Sequence, residues 1–99
     1  MDSLRKELAI GHIVVLGVLL TYGFYVPVRN WIPAPTAGEL MFGRHAIATV
    51  GYDDDGGAAK DGGLLIRNSW GNSWADRGYG WLPYQYVKQL GKEAWRVAV

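Results

Sequence analysis

The chain has 99 residues, 49% of them hydrophobic, 19% charged and 13% aromatic, and its formal net charge is +1. That balance excludes a disordered polyelectrolyte, and the lack of any lysine or arginine run excludes the basic footprint of a nucleic-acid binder. There is no cysteine, so disulfides, zinc-thiolate centres and a thiol nucleophile are all excluded within this chain.

A length of this order supports one small domain with a thin stability margin. Asp2 and Ser3 favour a helix start, and SLRKELAIG sets Leu4, Leu8 and Ala9 on one face before Gly11, so a helix is expected over 3–10. Residues 8–28 carry no formal charge and reach the length a membrane-spanning helix needs. Gly11, His12, Gly17, Gly23 and Pro27 interrupt them, however, and β-branched and aromatic residues crowd the middle. That composition reads as a buried strand over 12–25, bent at Gly17, rather than as a membrane helix. TYGFY then follows where a signal peptide would want small residues for cleavage.

Pro27, Pro33, Pro35, Gly38 and Gly43 make 26–43 a long surface loop, because proline removes ladder donors. HAIATVGY and GLLIRNSW read as strands over 45–52 and 64–69. The acidic, glycine-rich DDDGGAAKDGG between them suits the loop of an antiparallel hairpin. That loop, with Asp61, lacks the alternating ligands and closing glutamate of a calcium site, so it reads as a solvated turn. Further strands are expected over 78–82 and 94–98, with YQYVKQL a helical turn between them. The sum is an α+β domain, an antiparallel barrel-like sheet with one or two short helices.

RHAIATVGYDD and IRNSWGNSWADRGYGWLPY together resemble the C-terminal, histidine- and asparagine-bearing half of the papain-like cysteine peptidases. Upstream, LRKELAIGHIVVLGV is similar to that family's helix-to-strand segment, with His12 where proline is usual and exposure expected for it. The resemblance covers nearly the whole chain. It implies that His45 is the catalytic histidine, that Asn68 orients it, and that Trp70 and Trp74 are the two tryptophans beside them. It further implies that Leu16 and Ala46 line the pocket for the second residue before the cut. No metal or other cofactor is implied.

The chemistry needs those residue types. In the implied mechanism an imidazole takes the proton of a thiol, and the resulting thiolate and imidazolium stabilise each other. An asparagine oxygen accepting from the other ring nitrogen fixes the tautomer without adding a competing charge. The nucleophilic cysteine and the oxyanion-hole glutamine belong to the family's other half. Ser69 and Ser73 follow the family pattern as structural residues and replace neither. This chain alone is therefore expected not to cleave peptides.

Three functions stand as expectations. The first is a half-enzyme that gains peptide cleavage when a cysteine-bearing N-terminal half joins it. The second is a catalytically dead module that reuses the old interdomain face to bind a protein or to self-associate, for example as a domain-swapped dimer. The third, a membrane-anchored peptide, is the weakest on composition.

Overall fold

The computed structural model describes residues 2–54 and 62–96. The elements run α1 (Asp2–Ala9), β1 (Val14–Leu19), α2 (Tyr22–Tyr25), β2 (Arg44–Asp53), β3 (Gly63–Arg67), β4 (Tyr79–Pro83), α3 (Tyr84–Leu90) and β5 (Gly91–Arg96). One antiparallel sheet of five strands, ordered β4-β3-β2-β1-β5, carries three short helices. This is the α+β architecture expected, with the expected hairpin between β2 and β3. Residues 55–61 of the hairpin loop, including Asp55 and Asp61, and residues 97–98 of the last expected strand lie outside the described residues.

Alternation sorts each strand. Val14, Leu16 and Val18 of β1 stand opposite Thr49, Ile47 and His45 of β2, and directly opposed residues share a face. Leu64 and Ile66 of β3 and Leu82 of β4 join them in the core, with Tyr86 and Leu90 of α3 packed in the same cluster. The helix over 2–9 buries Leu8 and half-buries Leu4, whereas Ala9, expected on that face, is exposed. The edge of β4 is covered by the loop: Ile32 N–H donates to Trp81 O at 2.9 Å, and Trp31 stacks on Trp81 with ring centroids 5.4 Å apart.

The expected strand over 12–25 is corrected: β1 ends at Leu19 and the chain turns into α2. The cause lies far along the sequence. Tyr86 Oη donates to Leu19 O at 2.6 Å and accepts from Thr21 N–H at 3.1 Å, so one buried phenol takes both backbone groups out of any ladder. Burial pushes the Tyr86 pKa up, which keeps this phenol protonated. Tyr86→Phe is expected to destabilise the chain by about 1–3 kcal/mol, since it leaves two backbone groups unpaired at a site with 0% exposure. Urea denaturation of the two proteins measures this, and equal midpoints would refute the role of the phenol.

Other boundaries shift for local reasons. β3 stops at Arg67 rather than 69, with Asn68 N–H making one last bond to Gly78 O, opposite it in the β3–β4 register. β4 covers 79–83 rather than 78–82. β5 begins at Gly91 rather than 94 because Gly91 already pairs with Val18, across an irregularity at Gly17 and Val18. His12 is also less open than expected: it is half-buried, with Nδ1 2.5 Å from Glu7 Oε2.

Three distant segments meet at Asp54. Its Oδ1 accepts from Tyr84 Oη at 2.8 Å and from Arg5 at 3.0 Å, joining α1, the end of β2 and α3. The Tyr84 hydrogen bond, then that of Arg5, hold the Asp54 carboxyl below the usual carboxylate range. Its contribution to stability is therefore full above the ordinary aspartate pKa and fades as pH falls through the lowered one. Asp54→Asn is expected to flatten the acid limb of the stability profile below about pH 4 and to leave its neutral shape unchanged. Thermal melts across pH check this; parallel acid limbs would rule it out.

Candidate active site

β2 starts at Arg44, and alternation turns His45 to the core side beside Val18. β3 runs antiparallel to β2 and ends one residue before Asn68, so the hairpin brings Asn68 to the head of β2. Asn68 is 4% exposed. Its N–H donates to Gly78 O at 2.8 Å, and Gly78 N–H donates to Trp74 O at 2.8 Å. Trp74 Nε1 donates in turn to Phe24 O at 2.9 Å. Gly78 holds a φ of +90, which side chains rarely adopt, and in β4 a Cβ at Gly80 would stand 2.9 Å from the Trp74 ring.

His45 Nε2 and Asn68 Oδ1 are 2.7 Å apart. The Ser69 backbone N–H donates to the same oxygen at 2.8 Å, which orients the amide, since the flipped amide would oppose donor to donor. An amide oxygen only accepts, so this network assigns the proton to Nε2. In the neutral ring Nδ1 then carries the lone pair, and no described residue hydrogen-bonds it. The pair can accept a proton at Nδ1 and hold the resulting imidazolium in place.

Aromatic rings cover the pair. Trp70 stacks on His45 with centroids 4.7 Å apart and planes at 25°. Phe24, wholly buried, meets His45 edge-on at 5.9 Å and stacks on Trp74 at 5.5 Å. Excluding water strengthens the Nε2–Oδ1 bond, and a ring face attracts the charged imidazolium. Trp70 is half-buried and packs against the core, whereas Trp74 is buried within it.

Three of the aromatic neighbours, Phe24, Tyr25 and Phe42, were not among the residues expected here from sequence. Tyr25 stacks on Trp70 at 4.8 Å and meets Phe42 edge-on at 6.3 Å. The signal was Thr21 before YGFY: Phe24 N–H bonds Thr21 O, and Gly23 allows Pro33 to pack 3.0 Å from where its Cβ would be. A strand reading of 12–25 hid both.

The remaining expected pocket residues do not meet. Leu16 opposes Ile47 on the core face, whereas Ala46 is exposed on the other face and opposes Gly17. Side chains alternate along a strand, so Leu16 cannot share a pocket wall with Ala46. Leu16 instead reaches a hollow of about 370 Å³ beside Leu4, Val87 and Ala94. Gly17 is the small residue next to Ala46. Beyond it Glu93 of β5 pairs with Arg44 at 3.4 Å. Ser69 and Ser73 are exposed, and Ser69 enters the site only through its backbone.

Among the described residues no group of side chains is suited to hold a metal ion, and no helix is long and apolar enough to cross a membrane. The chain is 34% identical to xylellain, a cysteine protease from Xylella fastidiosa, with a TM-score of 0.84 over 99% of this chain and 36% of that one. An uncharacterized peptidase C1-like protein of Acanthamoeba polyphaga mimivirus is 27% identical over 96% of this chain and 30% of its own length. Pro-cathepsin H of Medicago truncatula is 29% identical over 98% of this chain and 25% of its own. The chain thus spans about a quarter to a third of the relatives it matches. The sequence model of the papain family cysteine proteases matches residues 33–96, the span that holds β2, the Asn68 loop and the hydrogen-bonded His45 and Asn68, and this chain belongs to that family.

Proposed function

We propose that this chain supplies the general base and its orienting amide to a cysteine peptidase whose nucleophile comes from a separate half. The 2.7 Å bond from His45 Nε2 to Asn68 Oδ1, with Nδ1 left open, is the observation that supports it. In that assembly the thiol proton passes to Nδ1, and the thiolate attacks the scissile carbonyl. The imidazolium then returns its proton to the departing amine, and water, deprotonated at the same nitrogen, releases the acyl group. Asn68 holds the ring through both transfers, and Trp70 shields the bond that does so. With no cysteine, the isolated chain carries out none of these steps.

The test is complementation. The purified chain and a cysteine-bearing N-terminal half of a papain-family protease are assayed apart and mixed, on a fluorogenic peptide. Thiol-dependent cleavage only in the mixture is the expected result. Tight association without cleavage would overturn the half-enzyme reading and favour the interaction module. Exposed Tyr25, stacked on Trp70, and exposed Phe42 beside Tyr25, with Leu40 and Met41 exposed just before Phe42 in the chain, favour self-association as that second reading. Light scattering of the chain alone reports it: a concentration-dependent dimer supports it, a strict monomer rejects it.

A further inference from the structure

Trp70 covers His45, and a ring outside the motif residues covers Trp70. The indole lies in the loop after β3, half-buried and outside any strand. Phe24 and Trp74 meet it edge-on, with centroids at 5.5 and 6.2 Å and planes at 77° and 90°. Edge contacts of that kind stop the indole from sliding in its own plane, yet they leave both faces to other partners. His45 stacks on it at 4.7 Å and 25°, and Tyr25 at 4.8 Å and 13°. Two rings this close to one face of an indole would also touch each other. Among the described residues no ring contact joins His45 to Tyr25, so they lie on opposite faces with the indole clamped between them.

The outer ring is itself held in place. Tyr25 ends the single turn of α2, directly after Phe24, so consecutive residues supply one buried ring and one exposed ring to Trp70. Thr21 opens that turn, and its N–H is fixed by the Tyr86 phenol at 3.1 Å. Phe42 meets Tyr25 edge-on at 6.3 Å. Two backbone bonds place Phe42: its N–H donates to Leu20 O at 2.9 Å, and Leu20 N–H donates to Gly43 O at 2.8 Å. Tyr25 is 44% exposed and stands outside the buried core cluster, so core packing does not explain where it sits. What its ring contacts is the shield of the His45–Asn68 pair.

We propose that Tyr25 is a positioning residue: by stacking on the outer face of Trp70 it keeps the indole over His45 and water away from the Nε2–Oδ1 bond. Without Tyr25 no other described ring stacks on that face, and rotation about the tryptophan side-chain torsions carries the indole off the imidazole. Water then competes for the Nε2 proton and for Oδ1, and the imidazole loses its fixed orientation. The stack needs a flat ring and no hydroxyl, so phenylalanine can replace Tyr25 and alanine cannot. Only the kinetic consequence rests on the half-enzyme reading, because the clamp is complete within this chain.

Exchange of the His45 Nε2 proton with water, followed by nuclear magnetic resonance on the intact nitrogen-15-labelled chain, tests the clamp. The parent and Tyr25→Phe are expected to show a protected Nε2–H signal, and Tyr25→Ala an exchange about tenfold faster or more. Unchanged exchange in a folded Tyr25→Ala chain, fast exchange in Tyr25→Phe, or a parent signal already unprotected overturns the proposal. If Tyr25→Ala fails to fold, Tyr25→Leu keeps the apolar bulk without the ring face and carries the same comparison. Faster exchange than in the parent then supports the clamp, and equal exchange overturns it. The second arm uses the mixture with the cysteine-bearing half. Tyr25→Ala is expected to lower kcat about tenfold at an unchanged KM, and Tyr25→Phe to restore it. An unchanged kcat, with or without a higher KM, overturns the positioning role. A mixture that never cleaves, beside an Nε2–H whose protection depends on Tyr25, removes the half-enzyme reading and leaves the clamp standing.

Discussion

Phe24→Ala is expected to lower the stability of this chain by about 3–5 kcal/mol, among the largest losses a single truncation can cause. Phe24 is wholly buried and touches four aromatic neighbours: His45 and Trp70 edge-on, Trp74 in a stack and Tyr86 tilted. Its carbonyl also accepts from Trp74 Nε1. Removing the ring opens a cavity that four rigid rings, each held from elsewhere, cannot collapse to fill. A domain of this size is stable by about 5–10 kcal/mol, so the loss consumes much of the margin. Denaturation followed by tryptophan fluorescence measures it, and near-ultraviolet dichroism reports whether Trp70 and Trp74 stay ordered. A loss under about 1 kcal/mol would show that this cluster repacks and that Phe24 is not its centre. Phe24→Leu should recover part of the stability, because most of the volume returns.

His45→Ala, in the complemented assembly, is expected to lower thiol-dependent cleavage by about 10⁴- to 10⁶-fold, as loss of a general base does in peptidases that depend on one. Asn68→Ala removes an orienting group rather than a reacting one, so a smaller loss of about 10²-fold is expected. The order of these two effects is the informative quantity. The pair is joined by one 2.7 Å bond, so the double variant should be little worse than His45→Ala alone. Comparable rates for His45→Ala and the parent would mean that the complemented activity draws its base from elsewhere. Each variant needs a dichroism spectrum matching the parent, because His45 also packs against Phe24 and Trp70.

The pairing of His45 with Asn68 was anticipated through the family resemblance of the motifs around them, and the fold brings the two side chains within 2.7 Å. The order His45, then Asn68 with Trp70 and Trp74, then a glycine pair around Tyr79 is written in local sequence, and the hairpin that unites it follows from two β-branched and apolar runs around a turn-rich stretch. The absence of cysteine needed no structure at all: it alone removes the nucleophile. Those are statements about composition and near neighbours, where local chemistry decides.

What sequence could not decide were the features set by residues far apart. Residues 20–25 read as strand until Tyr86, sixty-five positions beyond Thr21, takes the backbone donor that a longer strand would need. The pocket assignment of Leu16 failed through register: one step along β1 changes the face, and only pairing with β2 shows that Gly17, not Leu16, stands beside Ala46. Residue identity determined which functional groups are on hand, among them the His45 imidazole and the Asn68 amide but no thiol. Tertiary packing determined which side chains meet, because a buried hydrogen bond or a strand register is fixed by partners that no local window contains.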